Sequence, residues 1–372
     1  MIKPFQVVML NDFLETHQEI EKEKSIEYRK ATSKLQGKSR KDSKPLCCYY
    51  CKEEVTTFCN SHSIPAFVLR NIASNGSVYS SNKFAGIPLM ENDKGINNSG
   101  TFQIICRKCD SSIFSDYEDP GNYKSRPTNK MIAQIALKNQ LKLISKRRFE
   151  IALYENMKNL PMYGKMDDFP QFNENGMDKR QEINNLDLAE GDEEFTKAKK
   201  AINQKWSNEY YTFFYQKLDY VVPIATQTII TLPIDFDGHI INDIYNYSPA
   251  YKMQSIHVCI FPFQAESIVL MFIDAKHTRL KSFYRKFSKL TLDDQLSTIN
   301  FMLFAYSEDY FISRNIDEKL LENQKLIAVS QYTNEIVSLF NDFTLNDVLG
   351  DILTLSHRNE IPNLLSKECS IG

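Results

Sequence analysis

The sequence predicts an α+β chain in which a small cysteine-built module is followed by a helical connector and a carboxyl-terminal α+β domain. Three observations predict it. Six of the eight cysteines crowd between Cys47 and Cys109. A long breaker-free pattern of helical period then runs from Pro127 to Glu155. The last third of the chain mixes β-branched apolar runs with further helical patterns.

A chain of 372 residues suits two or three domains, and 42% hydrophobic content is enough to fill their cores. The formal net charge of -2 removes any global attraction to nucleic acid or anionic lipid, so a basic binding surface has to be local. No apolar run reaches the roughly 18 to 20 residues that span a bilayer. The first residues meet Asn11, Asp12 and Glu15 before a signal-peptide core can form. No membrane partner and a cytoplasmic location are therefore expected, and in a reducing compartment clustered cysteines point to metal before disulfides.

Residues 1–46 read as a helical extension and a basic linker. Asn11 to Leu35 is polar and helix-prone, and Lys38 to Pro45 is a charged, serine-containing tether. Residues 47–125 form the cysteine module, with an Asn- and Gly-rich stretch from Asn92 to Gly100 expected as loop. Residues 126–218 read as the helical connector. Ser125 or Thr128 caps its first helix, a polar acidic connection spans Asp167 to Glu194, and a second helical pattern covers Lys197 to Tyr215. Residues 219–372 read as the α+β domain for target or partner recognition. Tyr220 to Pro233 is strand-like, Ile256 to Phe263 and Ser267 to Ile273 make a hairpin, and Thr291 with Asp294 forms a capping box for an apolar helix.

The cysteine spacing carries chemistry. Zinc takes four thiolate or imidazole ligands in a tetrahedron, and Cys-x2-Cys supplies two from one tight turn. Cys48 and Cys51 make one such pair, Cys106 and Cys109 the other, and the second has to fold back onto the first. A treble-clef finger does this, with a knuckle giving one pair and the start of a helix the other. Cys59 is left over, either as a buried thiol or as a further ligand.

Around these pairs the chain reads Ser61-His62-Ser63-Ile64-Pro65, then Phe67, Gly95-Ile96, Asp110, Phe114-Ser115 and Tyr117-Glu118. Over residues 47 to 120 this layout resembles the HNH endonucleases, in which a Cys-x2-Cys knuckle precedes a His-x2-Pro string and a second Cys pair precedes a metal-binding residue. It is more similar still to a group of bacterial HNH-like proteins of poorly defined function that carry a Ser-His-x-Ile-Pro motif. The resemblance implies a ββα-metal site and a metal-dependent endonuclease cutting nucleic-acid phosphodiesters. His62 stands at the position of the general base, Asp110 at that of the last ligand to a catalytic Mg²⁺ or Mn²⁺, and Glu118 is a candidate second carboxylate. Nucleic acid, DNA in preference to RNA, is the implied partner, and anti-phage defence is an analogy with fused nucleases of this kind.

Two positions depart from the family. Ser61 replaces the acidic residue before the histidine, and Thr101 stands where the middle asparagine would. These changes point to a different but organised site. Plainer roles stay open: His62 as a zinc ligand or turn cap, Asp110 as a helix cap, Glu118 as an exposed helix acid. The competing function is a non-catalytic zinc-finger module that binds nucleic acid or protein. Lys130, Lys138, Lys142 and Lys146 recur at multiples of four as a candidate phosphate-contacting stripe, the bland alternative being a solvated face. Asp274-Ala275-Lys276 reads as a strand-end turn, and His239 and His257 as scaffold without metal-spaced companions.

Overall fold

The computed structural model describes residues 22–81, 83, 93–158, 174–204, 208–335 and 353–371. In chain order the elements that position the site are α1 (Lys22–Asp42), β1 (Ser61–His62), α2 (Ala66–Ile72), β2 (Ser77–Ser80), β3 (Asp93–Gly95), β4 (Thr101–Phe102), α3 (Arg107–Ile113) and α4 (Ser115–Glu118). They are followed by α5 (Asn129–Lys158), α6 (Glu174–Ile202), β5 (Tyr210–Leu218), β6 (Ile224–Ile230), β7 (Ile256–Pro262), β8 (Ser267–Asp274), α7 (Lys281–Phe287), α8 (Leu292–Tyr306) and β9 (Tyr310–Ile312). The chain is mixed α+β with antiparallel sheets, as the sequence predicts.

Seven strands form one sheet in the order β3-β2-β9-β6-β7-β8-β5, and β1 pairs separately with β4. The expected hairpin is β7 and β8, in register from Ile256 opposite Ile273 to Pro262 opposite Ser267. Both of its faces are buried, because successive side chains point to opposite sides of a sheet. Val258, Ile260, Val269 and Met271 enter one core with α7 and α8. Cys259, Phe261, Ile268, Leu270 and Phe272 enter the other with α2, α3 and α5. The cysteine segment therefore shares a core and a sheet with the carboxyl-terminal strands. β2 pairs with β9 through Tyr79–Ile312 and Ser80–Phe311.

Two caps match expectation. Thr128 Oγ1 accepts the Met131 N–H at 3.3 Å at the start of α5. Thr291 Oγ1 accepts the Asp294 N–H at 3.2 Å, and its hydroxyl lies 2.9 Å from the Asp294 carboxylate. Thr291→Ala removes both contacts at an exposed helix end. It is expected to cost about 1 kcal/mol, read as a lower urea midpoint with unchanged slope.

Elsewhere tertiary contacts override local composition. Residues 11–21 lie outside the described residues, but α1 continues through Lys38 to Asp42, where composition predicts a solvated tether. Its end is docked: Asn156 donates to Ser39 Oγ at 3.1 Å and to the Asp42 carboxylate at 3.0 Å, and Arg148 donates to the Ser43 carbonyl at 2.9 Å. Of the acidic stretch from Asp167 to Glu194, residues 167–173 lie outside the described residues, and the rest is helix α6 rather than a connection, held along α5. Tyr210 to Tyr215 is strand and not helix: five aromatics within six residues pack on β8 and its neighbours better than around a helix. The Asn- and Gly-rich loop begins as strand β3, paired with β2. Among the described residues no helix is long and apolar enough to cross a membrane.

Candidate metal centre and the polar cluster beside it

Cys48, Cys51, Cys106 and Cys109 converge, with all four Sγ atoms within 4.8 Å of one another. The local chain explains how. Residues 47 to 54 turn back on themselves, with Cys47 bridged to Glu54, Cys48 N–H on the Glu53 carbonyl at 2.9 Å and Lys52 N–H on the Cys48 carbonyl at 2.8 Å. Lys52 takes a positive φ of 63° to close this knuckle. The other pair sits at the start of α3, where Cys106 is the N-cap and its sulfur accepts the Cys109 N–H at 3.4 Å. The Cys106 N–H in turn points at Cys48 Sγ, 3.3 Å away.

This donor set suits zinc. Burial pushes the Cys48 thiol up, but the backbone N–H groups of Cys51, Cys106 and Tyr50 more than reverse it and draw the group down to about 7. Burial and the neighbouring sulfurs push Cys109 far the other way. Four crowded thiols cannot all ionise without a cation between them, and a dication removes that conflict. The four cysteines can hold a zinc ion. Cys59 is not among them. It is a buried thiol whose S–H donates to Asp110 Oδ2 at 3.4 Å, and burial followed by that carboxylate pushes it up to about 11.

Asp110, His62 and Glu118 do not meet at one point. In the pair of β1 with β4, Ser61 lies opposite Phe102 and His62 opposite Thr101. Alternation then sends Ser61 inward and His62 to the other face, beside Thr101. His62 is half-buried and its Nε2 lies 3.1 Å from the Ile96 carbonyl. A carbonyl only accepts, so Nε2 carries the proton and Nδ1 is left as the basic nitrogen. Gly100, at φ 60°, lets the chain re-enter β4 close to β1: its carbonyl accepts the Ser63 N–H at 2.8 Å, and an added Cβ would sit 2.7 Å from Ser63 Oγ.

On the inward face, Ser61 Oγ donates to Asp110 Oδ1 at 2.5 Å. Lys138 reaches the same place from α5. Its Nζ donates to Ser61 Oγ and to Asp110 Oδ1, both at 2.8 Å, and lies 3.1 Å from Glu118 Oε1. It also stands 3.8 Å from the centre of the Phe114 ring. The Lys138 side chain is wholly buried, while those of Asp110 and Glu118 keep 19% and 33% exposure. Burial pushes the Asp110 carboxyl up, yet the Lys138 charge and the hydrogen bonds from Lys138, Ser61 and Cys59 outweigh it and hold the group below its ordinary value. A catalytic Mg²⁺ or Mn²⁺ does not fit these residues: a neutral hydroxyl replaces one expected ligand, and an ammonium already bridges the two carboxylates.

Lys138 is therefore not part of a phosphate-contacting stripe, and the stripe itself is not a single face. At about 100° per residue, each step of four drifts about 40°, so Lys130 and Lys146 point about 160° apart. The other three lysines are paired within the chain: Lys130 with Asp116 at 2.8 Å, Lys142 with Asp309 at 2.6 Å and Lys146 with Glu308 at 3.1 Å. The sequence offers one signal for Lys138, its place among Ile135, Ala136, Leu137 and Leu141, all of them buried.

The other candidates sit elsewhere. Asp274 ends β8 and accepts the Lys276 N–H at 2.7 Å, forming the expected strand-end turn, and it pairs with Lys197. His257 is scaffold: its Nδ1 meets Asn139 at 3.0 Å, its ring stacks on Phe272, and burial draws it down to about 3. The reading of His239 as a residue without companions is corrected: Asp235 and Asp237, four and two residues before it, lie close enough to hold a metal ion with it. However, the Asp235 carboxylate is taken by the N–H groups of Asp237 and His239 and by Ser282, and Lys286 pairs with Asp237.

Comparison with protein-family models, with curated proteins and with solved structures finds no match to this chain.

Proposed function

We propose that the chain is an HNH-like phosphodiesterase built on a treble-clef zinc module, with zinc as its structural ion and nucleic acid, DNA in preference to RNA, as its substrate. One observation carries this reading. A cysteine knuckle, an antiparallel strand pair and a helix bearing the second cysteine pair occur in that order, and His62 stands half-buried beside Thr101 on the face of that strand pair opposite Ser61. With Nε2 held by the Ile96 carbonyl, Nδ1 can take a proton from water. The hydroxide then forms a bond to phosphorus, the bond from phosphorus to the sugar oxygen breaks with its electron pair on that oxygen, and the proton taken by the imidazole returns through water to the leaving alcohol. The zinc ligands keep the strand pair and α3 rigid beneath that histidine. The carboxyl-terminal sheet and helices would recognise the target or a partner subunit, and a defence role rests on analogy alone.

Plasmid and RNA incubated with zinc-loaded protein test this, in metal-free buffer and with added Mg²⁺ or Mn²⁺. His62→Ala is expected to lower cleavage by about 10²- to 10⁴-fold with zinc content unchanged. Cleavage at the parental rate in that variant overturns the assignment. A second reading, a non-catalytic module binding nucleic acid or protein, is favoured by the lysine bridging Asp110 and Glu118. Retarded nucleic acid with no cut product under every condition selects it.

A further inference from the structure

We infer that the Lys138 ammonium serves as a built-in cation, taking the place between Ser61, Asp110 and Glu118 that a divalent ion would otherwise fill, so that this cluster is complete without a metal of its own. The inference deepens the phosphodiesterase reading and rests on it only for the chemistry that the cluster would support. Its geometry stands independently. Three oxygens from three separate elements, β1, α3 and α4, point at one nitrogen at 2.8, 2.8 and 3.1 Å. That nitrogen comes from a fourth element, α5, on a side chain with no exposure to solvent. A lysine is rarely buried completely unless its charge is matched, and here two carboxylates match it.

Phe114 closes one side of the ammonium, with its ring face 3.8 Å away, where the aromatic quadrupole attracts a cation. The carboxylates have further partners as well: Asp110 Oδ2 accepts from Cys59, and the Glu118 Oε1 that faces Lys138 is also reached by the Tyr117 hydroxyl at 3.3 Å. An ion of charge +2 entering this space would meet a resident charge of +1 and a neutral serine where hard divalent ions seek carboxylates. The lysine delivers positive charge without a dissociation equilibrium. It also ties α5 to the strand that carries His62, because Ser61 precedes that histidine directly.

Manganese binding, followed by electron paramagnetic resonance on the full zinc-loaded chain, tests this without requiring activity. The parent protein is expected to bind no manganese at this cluster. Lys138→Ala removes the resident charge and is expected to take up one Mn²⁺ per chain at concentrations where the parent takes up none, and Lys138→Ala with Asp110→Asn is expected to lose it again. Stoichiometric manganese on the parent, abolished by Asp110→Asn with zinc retained, overturns the inference. So does a folded Lys138→Ala protein that takes up none. Should that variant not fold, Lys138→Gln, which removes the charge and keeps most of the volume, takes its place with the same two outcomes. Failure of the phosphodiesterase reading shows separately, as absence of cleavage in a protein whose manganese behaviour is as stated.

Discussion

Cys106→Ser is expected to release zinc and unfold the first third of the described chain, a larger effect than a substitution at Lys138, His62 or Thr291. Cys106 carries three duties at once. Its sulfur is one of four converging thiols, it accepts the Cys109 N–H as the cap of α3, and its own N–H is directed at Cys48. Structural zinc contributes on the order of 10 kcal/mol of apparent folding free energy in small zinc domains. Here the module is also held by packing, since Ile64, Val68, Leu69 and Phe114 share a core with Phe261 and Phe272. The remaining sheet and α8 should therefore survive partly, giving a chain that melts in two steps. Elemental analysis of the parent is expected to give one zinc per chain, falling to none in the variant. A parent protein without zinc, or a variant with an unaltered single transition, would show that these thiols are only neighbours.

Lys138→Met is expected to give the second largest loss, about 3 kcal/mol. Breaking one partner of a buried ion pair costs about 3 to 5 kcal/mol, and the low end applies because Asp110 and Glu118 retain some contact with water. Methionine fills much of the same volume, so the cost is electrostatic and not a cavity. The sign with pH follows from Asp110, whose folded value is held below the ordinary one. Its contribution is present above the ordinary carboxylate range and is lost as pH falls through the lowered value. The gap between parent and variant should thus be widest near neutrality and narrow in acid. Adding Asp110→Asn to Lys138→Met should recover part of the loss, measured as a double-mutant cycle in urea. Equal stability of parent and variant at pH 7 would mean that the ammonium is not matched as described.

Much of the local structure is legible in the residues themselves. The Cys-x2-Cys spacings name the four thiols that converge and can hold a metal ion, because a tight turn or a helix start is enough to present each pair. Thr128 and Thr291 announce the starts of α5 and α8, and the apolar runs around Gln264-Ala265-Glu266 announce the β7–β8 hairpin. Each of these depends on atoms within a few residues. The aromatic run at Tyr210 is also readable as strand, and a helical reading there gives too much weight to the pattern that precedes it.

Other features depend on partners far along the chain. Lys138 looks like one of four equivalent lysines, yet of the four it alone is wrapped by β1, α3 and α4 while the others pair with acids elsewhere. The resemblance to HNH endonucleases implies that His62 and Asp110 converge, but strand alternation turns Ser61 to Asp110 and leaves the imidazole on the opposite face. The sequence by itself determined which groups can bind metal and where helices begin, since spacing and capping act over one turn. Only the tertiary structure decided which charges are buried together and which face the histidine occupies. Desolvation and ion pairing are set by neighbours brought close in space, some of them more than seventy residues apart in the chain.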